Sequence, residues 1–186
     1  VGGGDQPPAP PLEALDLRKT EARERLLAGE LAVARDLYAE ILRADPRSRG
    51  ARVALAFCAL KAGDGDGATR WLDDAARDAP LDPELYYFRG LAAAARGDAA
   101  DARRQHERAL FLDADFVPAH FQLGELAASE GRRPDALRHF RNAAGAMRRA
   151  PGAVISLEGI YREHEVASLC ARNAEALAPG GEEART

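Results

Sequence analysis

From Leu15 onward, apolar and small residues return at helical spacing in runs of about 13 residues, separated by short polar turns. The runs keep register with one another. A glycine falls in every second gap, at Gly29, Gly63, Gly97 and Gly131, each 34 residues after the last. Seven residues before it stands a small residue: Ala22, Ala56, Gly90 and Gly124. Five after it comes Ala34, Ala68, Ala102 and Ala136, and twelve after it Ile41, Ala75, Ala109 and Ala143. Four columns held through four copies divide the chain into units 15–48, 49–82, 83–116 and 117–150. Each unit reads as helix, glycine turn, helix.

The columns have local causes. A glycine that follows a helix adopts the left-handed conformation a Cβ would penalise, and the chain can reverse there. Pro134 falls in the first turn of the second helix of unit four, where proline is tolerated, and Pro46 and Pro80 close units one and two. The small residue of the first helix is expected to face the alanine of the second and let the axes approach to about 8–10 Å. Helices of this length are marginal alone, so the pairs must stack, each unit covering its neighbour. Leu55, Leu123, Leu42, Leu72, Leu110, Phe140, Ala76 and Ala144 are the expected core. This period and these small residues mark a tetratricopeptide-like repeat. The expected fold is all-α: a right-handed solenoid of four helix-turn-helix repeats with a C-terminal capping helix.

The flanks differ in composition. Residues 1–11 carry Pro7, Pro8, Pro10 and Pro11 among glycines and read as a disordered, partly extended linker before repeats spanning 12–150. Val1 and this linker lead us to expect a further domain ahead. Unit one has Arg18, Glu21 and Arg25 where apolar residues are expected, which suits a polar terminal unit or a contact with that domain. After Pro151-Gly152 the period stops. Residues 151–178 read as a capping segment whose helix, 160–177, puts Ile160, Val166, Leu169, Cys170, Ala174 and Leu177 on one stripe. Unit four has six Arg against three acids, net +3, and residues 151–186 three Arg against six acids, net −3, which favours their contact. The tail 179–186 reads as disordered.

Charge and chemistry narrow the function. The formal net charge of −4 gives no reason to expect nucleic acid. No apolar run nears the roughly 20 residues that span a bilayer, so no membrane insertion is expected. Cys58 and Cys170 form no CxxC and read as buried free thiols. His106, His120, His139 and His164 show no metal spacing, and His106 and His120 fall at packing positions. No nucleophile–base pattern and no phosphate loop is legible, so no catalytic, cofactor-binding or metal residue is assigned. The paired arginines Arg103-Arg104, Arg132-Arg133 and Arg148-Arg149 are either solvated outer faces or an anion-facing patch.

In this repeat class the first helices line a concave face. The inward positions are Val53, Phe57 and Lys61, then Tyr87, Phe88 and Leu91, then Phe121, Gln122 and Glu125. They describe an aromatic-lined trough suited to an amphipathic helix or an extended peptide. The same residues would equally serve as packing for the C-terminal helix or a missing domain. They lack the Lys/Asn/Arg set by which chaperone-binding repeats hold a terminal carboxylate.

Two stretches carry a narrower resemblance. ERALFLDADFVPAHFQLGELAASEGRRPDALRHFRNA, residues 107–143, resembles the repeat region behind CheR-type chemoreceptor methyltransferases, and SLEGIYREHEVASL, residues 156–169, resembles the segment that closes such regions. The resemblance implies a cytoplasmic bacterial signalling protein. The parent enzyme would use S-adenosylmethionine to methylate receptor glutamates, with cofactor and catalytic residues outside this chain. The chain itself would be a regulatory module that docks a chemoreceptor's cytoplasmic domain or its own methyltransferase domain. The alternative is a generic adaptor in another bacterial assembly, such as secretion or envelope biogenesis.

Overall fold

The computed structural model describes residues 12–149 and 163–177. The linker over 1–11, the segment 150–162 and the tail from 178 lie outside the described residues. Within them every regular element is helical: α1 (Leu12–Leu27), α2 (Leu31–Ala44), α3 (Arg49–Lys61), α4 (Gly65–Asp78), α5 (Pro83–Ala95), α6 (Ala99–Leu112), α7 (Val117–Ser129), α8 (Arg133–Arg149) and α9 (Glu163–Leu177). The first eight form four hairpins, α1/α2 to α7/α8. The second helix of each packs on the first helix of the next, and α3 also touches α5. This is an all-α solenoid of stacked helix pairs.

One turn chemistry closes every hairpin. Gly29, Gly63, Gly97 and Gly131 have φ of +79°, +77°, +81° and +72°. In each, the glycine N–H donates to the carbonyl three residues back and the next N–H to the carbonyl five back, as in Gly63 to Leu60 and Asp64 to Ala59. These paired bonds satisfy the orphan carbonyls of the ending helix. Asp64 and Asp98, directly after the glycine, also start the next helix: their carboxylates accept from Gly67 and Asp101 N–H at 2.7 and 2.8 Å. One residue thus ends one helix and caps another, which keeps the connection short.

In units three and four, a large side chain rather than the expected alanine comes nearest the small residue of the first helix. A Cβ on Gly90 would lie 2.3 Å from the His106 ring, and one on Gly124 2.5 Å from Phe140. His106 and Phe140 stand one turn beyond Ala102 and Ala136, on the same face of their helices. The alanines are fully buried as well, but the missing Cβ makes room for a ring. Tyr38 and Leu72 occupy the corresponding positions of units one and two and are also buried. Of the expected core, Leu55, Leu72, Leu123 and Phe140 are buried, whereas Leu42, Leu110, Ala76 and Ala144 are only half-buried.

At the front, Ala22 and Leu26 anchor α1 in the core, while Arg18 pairs with Glu40 at 2.7 Å and Arg25 with Glu30 at 2.8 Å. At the back, α9 lies on α8 and touches α7. Its Cys170 is fully buried in a cluster with Val117, Phe140, Ala143 and Met147.

The two kinds of glycine respond differently to substitution. Gly124→Ala forces the Phe140 ring aside and is expected to cost about 1–3 kcal/mol in urea unfolding. Gly131→Ala meets nothing within 4 Å but strains a positive φ, costing about 1–2 kcal/mol, which Gly131→Asn largely spares. Equal losses from Ala and Asn at position 131 would contradict the conformational cause.

Candidate functional site

The inner face does not form the trough its residue types suggest. Val53, Phe57, Tyr87 and Phe88 are buried, at most 7% exposed, inside the cluster that spans α1 to α5. Tyr87 packs edge-on against Phe88 at 5.1 Å and against Phe116 at 5.9 Å. The cause is the smallness of their neighbours: Ala51, Ala54, Ala92 and Ala93 are buried among them, and α3 comes into direct contact with α5. At unit four the chain fills its own hollow. Phe121 packs with the cluster that holds Cys170 and Ala174 of α9, and Asn173 donates to the Glu125 carboxylate at 2.6 Å. Lys61 stays exposed with its ammonium 5.2 Å over the Phe57 ring, and Leu91 and Gln122 are half-buried. The structure therefore does not gather these nine residues into one open site.

Among the described residues an open site lies between consecutive second helices. A crevice of about 500 Å³ opens between α2 and α4 over α3. Leu55, Cys58 and Ala59 lie along α3, Ala39 and Trp71 on the flanking helices, and Arg35 and Asp64 are the charged residues lining it. Past Ala39 and Trp71 the hollow continues as a shallower space of about 370 Å³ bounded by Leu42, Pro46 and Arg52. The same crevice at the next junction holds about 200 Å³ and is polar, lined by Thr69, Asp73, Arg89, Arg96 and Gln105, each 34 residues after its counterpart. There Arg89 donates to Asp73 at 2.5 Å and Arg96 to Thr69 at 2.5 Å. At the third junction Arg103 donates across to Glu130. At the first, Ala39 and Leu55 replace Asp73 and Arg89, and Arg35 has Ala62 where Arg103 has Glu130. Arg35 turns instead to Asp36, its chain neighbour, at 2.9 Å.

Burial pushes the Cys58 thiol up, while the charge of Arg35 pulls the other way. Cys170 is pushed up to about 11 by burial and then by Glu125. Both are free, buried thiols in separate clusters.

His106, His120 and His139 are structural, and the His164 side chain lies outside the described residues. His120 Nε2–H donates to the Ala114 carbonyl at 3.0 Å, which leaves Nδ1 to accept from His139 Nδ1–H at 3.1 Å; the tautomers follow from the network. This arrangement needs both rings neutral. Burial, then neighbouring His120, holds His139 down at about 4, and burial alone holds His106 at about 4. Both His106 and His120 are buried at packing positions, as expected, but the buried Nδ1 of His106 has no hydrogen bond. Among the described residues no three His, Cys, Asp or Glu side chains gather to hold a metal ion.

Residues 25–91 match the family model described as tetratricopeptide repeat. None of the curated proteins matches the chain. Among solved structures, TTC0263, a thermophilic tetratricopeptide repeat protein of Thermus thermophilus, is similar at 24% identity and a TM-score of 0.67, covering 86% of this chain and 80% of that one. MamA residues 41-end from Desulfovibrio magneticus RS-1 is similar at 20% identity and a TM-score of 0.61, covering 74% and 78%. A further MamA crystal structure is similar at 18% and 0.58, covering 89% and 90%. These likenesses establish the fold, a tetratricopeptide-type solenoid. None of them connects the chain to a chemoreceptor methyltransferase.

Two consequences are measurable. His106 and His139 have folded pKa values of about 4 against an ordinary 6.5, so between these values the unfolded chain binds protons the folded chain refuses. Stability is complete above pH 6.5 and falls as pH drops toward 4. His106→Leu, which copies Leu72, is expected to gain about 1–2 kcal/mol at neutral pH by removing the unpartnered nitrogen, and to flatten the acid limb of a pH-resolved urea series. Separately, Arg49 reaches Glu84 at 2.9 Å and Asp82 at 2.6 Å, and Glu84 is only 6% exposed. Arg49→Ala should cost about 3 kcal/mol, and adding Glu84→Leu should recover most of it. A double variant no more stable than the single would show that the loss does not come from the Glu84 carboxylate.

Proposed function

We propose that this chain is a non-catalytic docking scaffold, a generic adaptor that holds another polypeptide. The observation that carries the reading is the apolar crevice at the first junction, the larger of the two crevices described, in a stack whose next two junctions are bridged by polar pairs. The fold supports it, since stacked helix pairs offer extended surfaces and tetratricopeptide repeats serve protein–protein contact. No helix among the described residues is long and apolar enough to cross a membrane.

A second, narrower reading makes the adaptor the regulatory module of a chemoreceptor methyltransferase, docking a receptor's cytoplasmic domain or the enzyme's own catalytic domain. The observation favouring it is the run LDADFVPAHFQLG with its ending HFRNA, which spans the α6–α7 connection and part of α8. Any S-adenosylmethionine chemistry would then belong to a separate domain.

A photo-crosslinking residue placed in turn at Ala39, Lys61 and Phe111 of the full chain, in its native cells, tests the adaptor reading. Discrete adducts from one face and not the others are expected, and no adduct from any face would refute it. Calorimetric titration against a receptor cytoplasmic fragment tests the narrower reading; absence of binding removes it and leaves the adaptor standing.

A further inference from the structure

We propose that the crevice between units one and two seats a large apolar side chain of a partner polypeptide, and that a carboxylate beside it in the partner engages Arg35. The inference rests on the adaptor reading and specifies its partner.

The crevice selects its occupant in two ways. Its α3 wall, Leu55, Cys58 and Ala59, offers a cation or amide only the weak sulfur acceptor of Cys58, so a polar group seated there would lose its water with little replacement. An apolar side chain loses nothing polar and covers Trp71, which is half-buried. The rim supplies the second criterion. At the second and third junctions the residues equivalent to Arg35 and Ala62 bond across the crevice, Thr69 with Arg96 and Arg103 with Glu130. At the first junction the cation is present and its cross-junction partner is absent. Arg35 contacts Asp36 on its own helix, with both side chains more than 60% exposed, so that pair holds it only weakly. Asp64, on the other side, has one carboxylate oxygen committed to the Gly67 N–H. That bond leaves the Asp64 charge in place, so the mouth carries one lining charge of each sign; the ligand's acidic group belongs on the Arg35 side, in the place Glu130 takes for Arg103. The hollow beyond Ala39 and Trp71 gives room for the residues that follow the anchor along the partner chain.

The chain's one tryptophan is Trp71, so its single indole N–H resonance reports on the crevice. Hydrocinnamate, a phenyl ring carrying a carboxylate, is the probe, with the neutral amide hydrocinnamamide as its control, added to the full chain. The expected result is a saturable shift of the Trp71 resonance by both, with the acid binding more tightly. Arg35→Gln, an exposed change that leaves the core alone, should weaken the acid about tenfold, the size of one charge-assisted contact, and leave the amide unchanged. Ala59→Phe, which fills the space, should abolish both shifts, with helical circular dichroism as the check on folding. The proposal is overturned if the resonance does not move, or if acid and amide bind alike in the unaltered chain. It is also overturned if the probe-free resonance moves on dilution, which assigns the crevice to a second copy, or on deleting residues 178–186, which assigns it to the chain's own tail. A negative result with cross-links from Lys61 or Phe111 removes the crevice alone; no cross-links from any face removes the adaptor reading with it.

Discussion

The contact on which the last two hairpins depend is a ring seated where a Cβ is missing; units one and two have Ala22 and Ala56 in that column. His106 over Gly90 and Phe140 over Gly124 bring the two helices of a hairpin within reach of each other's backbone. Only then can buried alanines such as Ala102, Ala109, Ala136 and Ala143 make close contact. Neither helix could hold its shape alone at this length. The glycine turn sets the direction of return, but the ring-on-glycine contact sets the separation. With that separation fixed, the outer faces of the hairpin are fixed too, and so is the shape each unit presents to the next.

That dependence explains what could be read from the residues and what could not. The positive-φ glycines and the 34-residue period follow from single-residue conformational preference and helical repeat, both local, and the structure has them at Gly29, Gly63, Gly97 and Gly131. The partner of the small residue was placed one turn short, because spacing alone does not say how far two helices slide. The inner trough failed for a longer-range reason. Whether Val53, Tyr87 and Phe88 face solvent depends on how closely α3 approaches α5, which is decided by Ala51, Ala54, Ala92 and Ala93 together. No repeat column displays that sum. The crevice was legible in principle, since Arg35, Thr69 and Arg103 form one column and Ala62, Arg96 and Glu130 another. What was missing was the knowledge that these two columns face each other across a junction.

Unit three shows how a repeat absorbs a poor choice. His106 stands where its counterparts are Tyr38, Leu72 and Phe140, and its Nδ1 is buried without a partner. The ring fills the space that the missing Cβ of Gly90 leaves, and burial keeps it neutral. In unit four the corresponding problem is met by pairing: His120 and His139 share one hydrogen bond, and the Ala114 carbonyl fixes the direction of the proton. Both arrangements tolerate neutral imidazole and resist imidazolium, so acid acts on the two last units before it acts on the first two.

The junctions, rather than the hairpins, are where the units differ in chemistry. Inside a hairpin the glycine and small-residue columns are conformational requirements, and departure from them costs folding free energy. Across a junction the facing columns vary from ion pair to hydroxyl–guanidinium to arginine against alanine. Ion pairs this exposed contribute little to stability, so their loss at the first junction is tolerated. What the loss changes is access: with Ala39 and Leu55 in place of Asp73 and Arg89, the crevice itself has no polar strut, Arg52 bridging only its far end between the Pro46 carbonyl and Asp74 and Asp78, and an apolar wall with Trp71 at its side is left open to a visitor. A repeat stack can therefore acquire a binding site at one junction by deleting a cross-strut, without altering the packing that holds the hairpins on either side.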